Sequence, residues 1–341
     1  MAVTIHDVAR TAGVGIGTVS RVLNNNQAVK ESTRQKVLDA IAQLEYHPDP
    51  IARSMITRRT GVAGVVIPFI TRGFSVEVLR GLINTAGHIG YELVIYNLED
   101  DIHSKILFSN LPMRRKVDGL LMVSLVPDEK MTPVILKSHL PVVLIDAYSP
   151  YFTSIIVNNI EGAYQAVKSL LKVGHRRIGF INGIKEGNFK FNQANDRLIG
   201  VHRALAEAGI EFDPDLMAVS DWTREGGQEA AEKLLSLPEP PTAIFASSDI
   251  QAVGVLEVAR KKHLKVPRDL SIIGFDGIDL SEILDINTVQ QPMEKMGELG
   301  MNKLLELLEN ENNKLPELIR LDTCLLERHT VAPPARNKKL R

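Results

Sequence analysis

The chain of 341 residues has one cysteine, Cys324, so it can close no disulfide within itself and offers no Cys cluster for zinc. It has little else that marks a secreted or membrane protein. No apolar run approaches the roughly 20 residues that span a bilayer, and stretches such as 119–126 read as buried strands. The first ten residues carry Asp7 and Arg10 and contain no apolar core of signal-peptide length, so a cytoplasmic location is expected. An excess of charge is missing too. Lys and Arg number 40 against 41 Asp and Glu, and a net charge of −1 gives no pointer to a nucleic-acid partner. Hydrophobic residues at 44% and charged residues at 24% exclude a disordered or collagen-like chain, and the length suggests two or three domains.

The usual signatures of catalysis are also absent. There is no Walker A sequence, no Gly-x-Ser-x-Gly and no His-Glu-x-x-His, and the nine His show no paired metal-ligand spacing. Residues Gly13, Gly15 and Gly17 resemble a dinucleotide-binding loop only superficially. The third glycine is one residue early, and a helix rather than a strand precedes the run. No enzyme activity, cofactor or metal is expected.

Two grammars of hydrophobic spacing are present. Over residues 1–60 the apolar positions follow i, i+3, i+4 stripes: Ile5, Val8, Ala9 and Ala12, then Ile16, Val19, Val22 and Leu23, then Val37, Leu38, Ile41 and Leu44. These predict helices over about 5–12, 16–23 and 32–44. Thr4 with Asp7 forms a capping-box variant, and Gly13 breaks the first helix. Asp49-Pro50 starts a fourth helix reaching about Ile56. From Gly61 short apolar runs alternate with amphipathic stretches. The runs are 62–67, 92–96, 119–123, 142–145, 155–157, 178–181, 217–219, 243–246 and 272–275; helices are predicted at 76–88, 163–172, 198–208, 226–235 and 250–261. That alternation means parallel strands with crossover helices, in two similar halves.

The first two helices, joined by a short Gly turn, have helix-turn-helix spacing, although a generic helical hairpin shares it. Thr18, Ser20 and Arg21 lie on the polar face of the second helix, where hydroxyls suit phosphate oxygens and an Arg can fork onto guanine.

The stretches Thr4-Ile5-His6-Asp7-Val8-Ala9-Arg10, Ala12-Gly13-Val14 and Thr18-Val19-Ser20-Arg21-Val22-Leu23-Asn24 resemble the lactose-repressor/galactose-repressor family of bacterial transcription regulators. So do Tyr46-His47-Pro48, Gly174-His175-Arg176-Arg177-Ile178 and Ile273-Gly274-Phe275-Asp276. The resemblance covers nearly the whole chain. It implies an N-terminal all-α helix-turn-helix head over residues 1–48, a hinge helix and linker over 49–60, and an α/β two-lobed, periplasmic-binding-protein-like sensor over 61–334. Lobe 1 would take about 61–160 and 291–320, lobe 2 about 161–290 and 321–334, with a basic tail at 335–341.

The resemblance also implies roles for particular residues. Ile16, Gly17 and Arg21 would face the bases; Thr4, Thr18, Ser20 and Asn24 would sit on phosphates. Arg53, Ser54 and Met55 would lie in the hinge helix, with Met55 where the family has a Leu that wedges into the minor groove; packing of the two hinge helices against each other is the alternative. Gly15 replaces a capping Ser, Gly17 offers no side chain where relatives read a base, and Lys30 replaces a capping Ser before the third helix. Effector residues carried over are Phe74, Asp146, Arg197, Trp222, Ser248, Asp276 and Gln291, set at strand ends around a cleft between the lobes. Each also has a structural alternative: a core Trp, a salt-bridged Arg, a helix-capping Asp, an Asp that only holds loop amides.

The expected protein is a homodimeric repressor of a near-palindromic operator, controlled by a small polar effector, with a carbohydrate favoured over a purine. A tail from 331 that is short and holds Pro333 and Pro334 favours a dimer over a tetramer. Rival readings are a pure carbohydrate-binding protein, an α/β enzyme, and a regulator that also engages a phosphocarrier protein. The neutral total charge divides unevenly. Residues 1–60 hold eight Lys and Arg against five acids, a net of +3, which leaves −4 on the rest. DNA binding should therefore weaken with salt.

Overall fold

The computed structural model describes residues 3–23, 26, 28–46, 59–98, 116–183, 192–309 and 315–335. The predicted helix at 50–56 and hinge segment through 58, and the tail from 336, lie outside the described residues, as do Asn24, Arg53, Ser54 and Met55. The chain divides into two compact units, Met1–Gly61 and Val62–Arg341.

Among the described residues the first unit packs three helices, α1 (Ile5–Ala12), α2 (Ile16–Leu23) and α3 (Glu31–Gln43). Their apolar stripes meet in one small core of Val8, Ala9, Val19, Val22, Val37, Ala40 and Tyr46. At the start of α1 the Asp7 carboxylate accepts from the Thr4 N–H at 3.0 Å and from its hydroxyl at 2.7 Å. Gly13 ends the helix at φ 66, a left-handed conformation that suits glycine. Lys30 gives α3 no side-chain cap; its carbonyl instead accepts from the amides of Thr33 and Arg34 at 2.9 and 3.0 Å.

Among the described residues the second unit holds two six-stranded sheets. The first contains β1 (Val62–Ile67), β2 (Glu92–Asn97), β3 (Gly119–Val123), β4 (Val142–Ile145), β5 (Thr153–Val157) and β11 (Leu318–Leu321), in the order β11-β5-β4-β3-β1-β2, all parallel. The second contains β6 (Ile178–Gly183), β7 (Met217–Ser220), β8 (Ala243–Ala246), β9 (Ser271–Asp276), β10 (Asn287–Gln290) and β12 (Cys324–Leu326), in the order β12-β10-β9-β8-β6-β7, with only β12 antiparallel. The two orders correspond strand for strand, which explains the similar halves in the sequence pattern. In each lobe the order reverses beside the first strand, and such switch points open a crevice at the strands' C-terminal ends.

Helices α4 (Gly73–Ile89), α5 (Met131–Ser138) and α11 (Met293–Glu309) belong to the first lobe. The second has α6 (Asn159–Lys172), α7 (Asn192–Glu207), α8 (Arg224–Leu235), α9 (Asp249–Lys261) and the short α10 (Asp279–Ile283). The chain crosses between lobes at about 157–159, 290–293 and 321–324. Six of these elements have no counterpart in the apolar-run reading: α5, α10, α11, β10, β11 and β12. The buried stripe of α11 runs through Met293, Met296, Gly297, Gly300 and Met301, and its glycines weaken the helical signal. Gly297 is there because α4 and α11 cross closely, and Gly300 because α11 lies against Ile145 of β4, which an added Cβ would meet at 2.4 Å. A Cβ on Gly297 would meet the Val78 carbonyl at 2.1 Å, and one on Gly81 the Glu294 carbonyl at 2.0 Å. Strand β10 reads as polar yet its first three residues are buried, while β11 and β12 lie at sheet edges and carry no continuous apolar run.

Candidate functional site

On α2, burial of Val19 and Val22 turns the opposite arc outward. At 100° per residue Ile16, Ser20, Gly17 and Arg21 occupy one contiguous arc, with Thr18 at its margin. Ile16, Gly17 and Arg21 are exposed; Thr18 and Ser20 are half-buried. Ile16, at 41% exposure, is a large apolar side chain with no core role. A Cβ at Gly15 or Gly17 would meet nothing within 4 Å, so neither glycine is there for packing. The first turn of α2 is closed by backbone bonds from Thr18 and Val19 to the Gly15 carbonyl, at 2.8 and 3.3 Å. Thr4 is exposed but its hydroxyl is committed to Asp7.

In the sensor unit a cleft lies between the lobes at the strand ends, with about 680 Å³ of empty space when the open solvent at its mouth is included. All seven predicted effector residues line it: Phe74, Asp146, Arg197, Trp222, Ser248, Asp276 and Gln291. Phe74 lies in the first turn of α4, Asp146 directly after β4, Arg197 within α7, Trp222 after β7 and Asp276 at the end of β9.

Arg197 is 3% exposed. It donates through Nε to Asn159 Oδ1 at 2.9 Å and through Nη1 to the Ser247 carbonyl, with its guanidinium 3.7 Å from the centre of the Phe275 ring and 5.5 Å from that of Trp222. Burial lowers its pKa, opposed by the charges of Asp276, Asp146, Asp196 and Asp249. No carboxylate comes within salt-bridge distance of it among the described residues, so it is not the salt-bridged Arg of the structural alternative.

Asp276 accepts from Gln291 Nε2 at 2.7 Å, and burial pushes its pKa up to about 8, against the pull of Arg197. Asp146 accepts from Ser124 Oγ at 2.7 Å and from Gln193 Nε2 at 2.5 Å, and burial raises it to about 6. Among the described residues neither caps a helix or holds loop amides through its side chain. That work falls to Asp249, which accepts from the Gly277 and Ile278 amides at 2.7 and 2.9 Å and from the Thr288 hydroxyl at 2.5 Å. Trp222 packs on the backbone of Gly183, where a Cβ would lie 1.9 Å from the ring. Ser248 differs from the rest: its oxygen caps α9, accepting from the Gln251 amide at 3.3 Å, and its proton goes to Gln251 Oε1.

The cleft also contains residues with no signal in the sequence, among them Phe69, Arg72, Ser124, Gln193, Ile250 and Ile278. Phe69, Ser124, Asp146 and Asp276 all adopt positive φ, at 54, 51, 57 and 123°. Non-glycine residues rarely adopt such angles, and strained positions of this kind gather at functional sites. Among the described residues no group of three or more His, Cys, Asp or Glu could hold a metal. No helix among them is long and apolar enough to cross a membrane.

A helix-turn-helix head with an exposed face on its second helix, and a two-lobed α/β body with a cleft between the lobes, are the architecture of a ligand-sensing DNA-binding regulator. Residues 4–49 match the bacterial regulatory proteins of the lacI family, and residues 167–331 match a periplasmic binding protein-like domain. Catabolite control protein A of Priestia megaterium is 37% identical over 315 residues, 91% of this chain and 94% of that protein. The transcriptional repressor CytR of Escherichia coli K12 is 34% identical over 322 residues, 91% of each. Among solved structures, a lac repressor dimer bound to operator and the anti-inducer ONPF aligns with a TM-score of 0.84 at 26% identity, covering 97% of this chain and all of that one. A complex of the regulator CelR with cellobiose aligns at 0.72 and 29% identity, over 96% and 99%. The chain belongs to the lacI family of bacterial regulatory proteins. Its relatives are transcription regulators, not enzymes, and its own function is transcription regulation through DNA.

Proposed function

We propose that this regulator represses transcription as a homodimer on a near-palindromic operator, and that a neutral sugar in the cleft controls its DNA affinity. The observation that carries the sugar reading is the convergence, in one cleft, of buried Arg197, Asp146 and Asp276 with the aromatic rings of Phe74 and Trp222. Carboxylates accept from sugar hydroxyls, a guanidinium donates to hydroxyl oxygens, and aromatic faces meet the C–H faces of a pyranose. A solved relative holds cellobiose, in keeping with this chemistry.

On DNA, Ile16, Gly17 and Arg21 face the bases, with Ile16 on thymine methyls and Arg21 on guanine. Thr4, Thr18, Ser20 and Asn24 bind phosphates, Thr4 after giving up its bond to Asp7. Arg53, Ser54 and Met55 enter the minor groove between half-sites. Ser248 shapes the cleft rather than bonding sugar, because its hydroxyl already caps α9. The protein acts in the cytoplasm, on the nucleoid. A phosphocarrier co-regulator remains an added arm, tested by pull-down from cell extract.

Thermal-shift screening of neutral mono- and disaccharides tests the sugar reading. A sugar at 100 times its Kd adds about 2.7 kcal/mol to a protein that binds it only when native. The positive sugars then enter a gel-shift titration with operator DNA. Coupling is reciprocal, so operator must change sugar affinity by the factor by which sugar changes operator affinity. A panel with no stabilising sugar, or titrations without reciprocity, refutes the proposal.

A further inference from the structure

The first turn of α9 stands behind the lobe 2 wall of the cleft. Ser248, its cap, and Ile250 line the cleft; Gln251 does not, and is fully buried. Its amide is nonetheless tied to the wall on two sides. Oε1 accepts from the Ser248 hydroxyl at 3.1 Å. Nε2 donates to Ser220 Oγ at 2.9 Å and to the Asp221 backbone carbonyl at 3.0 Å. The Ser220 hydroxyl donates to the same carbonyl at 3.0 Å. Only one orientation of the amide serves these partners, because a backbone carbonyl can only accept. The backbone of Gln251 is fixed as well. It lies so close to α8 that a Cβ on Gly227 would meet the Gln251 carbonyl oxygen at 2.5 Å and its Cα at 2.7 Å.

What Gln251 grips is the peptide that carries Trp222. Asp221 and Trp222 alone join Ser220, the last residue of β7, to Thr223, the cap of α8. The Asp221 carbonyl and the Trp222 amide share one rigid plane, so a hold on the carbonyl fixes the backbone torsions on either side. The Asp221 side chain is held from another direction. Its Oδ1 accepts from Thr223 Oγ1 at 2.5 Å, and that hydroxyl accepts from the Gly226 amide at 3.0 Å. Thr223 thus anchors the loop to α8, and Gln251 anchors it to α9. The ring that follows packs on Gly183 and lies 5.5 Å from the Arg197 guanidinium. A side chain needed only to fill this space could be apolar. An amide with both donors and its oxygen paired holds the loop in one geometry instead.

We propose that Gln251 is a positioning residue for the effector cleft: by holding the Asp221–Trp222 peptide it sets the Trp222 ring against the bound sugar, without touching the sugar itself. This rests on the sugar reading above. It makes the stacking face a property of α9 as well as of the loop that bears the ring. The same turn of α9 serves the rest of the wall, since Asp249 holds the Gly277 and Ile278 amides just beyond Asp276. Trp222 and Asp276 are therefore held in register with each other by side chains two residues apart on one helix.

The test uses full-length protein, with D-ribose, D-glucose and cellobiose as probes. Gln251→Met keeps the length and loses the bonds to Ser248, Ser220 and Asp221. Gln228→Met is the control, because Gln228 also joins α8 to α9, through Glu257, but further along α8 from the Trp222 loop. Trp222 is the only tryptophan, so its emission reads the ring directly, and calorimetry reads the sugar Kd. Gln251→Met should shift the emission maximum of the sugar-free protein. It should also weaken the sugar that binds the wild type roughly tenfold, the scale of a lost aromatic contact. Gln228→Met should lower the melting temperature and leave emission and Kd unchanged. Where Gln251→Met does not fold, Ser220→Ala takes its place; it removes one partner of Nε2 and one donor to the Asp221 carbonyl, and should give a smaller shift in the same direction. A folded variant with wild-type emission and a Kd within twofold of wild type overturns the role of Gln251 and leaves the sugar reading intact. Equal changes in Gln251→Met and Gln228→Met also overturn it, since they mark a general loosening of α8 on α9. A wild-type protein that binds none of the three sugars overturns the sugar reading, and emission of the sugar-free variants still decides whether Gln251 places the ring.

Discussion

Gly183→Ala should disable the cleft while sparing the fold, and the reason is local. An added Cβ would lie 1.9 Å from Trp222 Cζ2, 2.2 Å from Cε2 and 2.7 Å from Cη2. Carbon atoms in contact sit at about 3.5–4.0 Å, so the two must separate by roughly 1.5–2 Å. The strand is the less yielding partner. Gly183 ends β6, which is paired with β7 on one side and β8 on the other, and its own amide donates to Asn182 Oδ1 at 2.9 Å. Trp222 lies in the loop beyond β7, with an edge open to the cleft, so the ring moves. Overpacking of this kind costs about 1–3 kcal/mol. Displacement also changes the face offered to Arg197, 5.5 Å away, and to any sugar stacked there. Trp222 is the only tryptophan, so intrinsic fluorescence reports its surroundings without a label. The variant should shift the emission maximum and weaken sugar binding about tenfold or more, on the scale of a lost aromatic contact. Gly179→Ala is the control: it lies in the same strand, with its nearest Cβ contacts at 3.1–3.2 Å to Pro241, Ile244 and Leu234, away from the ring. A folded Gly183→Ala protein with wild-type emission and wild-type sugar Kd would refute the placement of Trp222 as the stacking face.

Sugar binding at pH 7 should release up to about one proton, because hydroxyls donated to Asp276 favour its ionised form. The Kd should then fall as pH rises from 6 to 8, and calorimetry in buffers of different ionisation enthalpy that finds no released proton would contradict it. In the sugar-free protein, Asp276 at about 8 and Asp146 at about 6 lie above their unfolded values. Their contribution to stability is full below about pH 4 and is lost as pH rises through those values, a trend that urea titrations at several pH values can check. Gly17→Ala should stabilise the head modestly, by up to about 0.5 kcal/mol, since the site is an exposed position in the first turn of α2 with open space around it. It should also change operator affinity in a gel shift if Gly17 faces a base; no change would remove Gly17 from the reading face. His175→Ala should destabilise the sensor by about 2–4 kcal/mol, measured by thermal melting, because it strands buried polar groups. Its ring nitrogens sit 2.8 Å from Thr242 Oγ1, 3.0 Å from Ser271 Oγ and 2.9 Å from the Ala332 carbonyl.

Much of the architecture was legible because it rests on periodicity. The runs at 62–67, 119–123, 142–145 and 243–246 are continuous and apolar, and they became strands with those bounds. Strand β10 was not legible, since its burial follows from sheet position while its residues, Asn287, Thr288 and Gln290 among them, read as a polar turn. Seven cleft residues were named through the family resemblance, in motifs with fixed places after strands. Ser124 and Gln193 were missed because nothing in their local sequence distinguishes a polar residue that crosses a cleft from one that faces water. The positive φ angles of Phe69, Ser124, Asp146 and Asp276 were invisible for a related reason, as none is glycine. Ser248 shows the converse. Its position matched, but a Ser that opens a helix is a cap first, and the structure uses it so.

The hydrogen bonds of the cleft bear on how a bound sugar could be felt beyond it. Arg197 is tied to Asn159, the first residue of α6 after the first crossover between lobes. Asp276 accepts from Gln291 Nε2, and its backbone carbonyl accepts from the Gln291 amide at 2.9 Å, in the second crossover. Thr323, in the third, has a buried hydroxyl with no partner among the described residues. A sugar that competes for Arg197 and Asp276 therefore acts on two crossovers at once. It meets there side chains whose bonds differ in strength with the charge on Asp276. Such bonds give a ligand the differential affinity for two lobe arrangements without which no equilibrium shifts. The buried charges then serve two purposes. They select a donor-rich ligand, and they hold the segments whose rearrangement must carry the response.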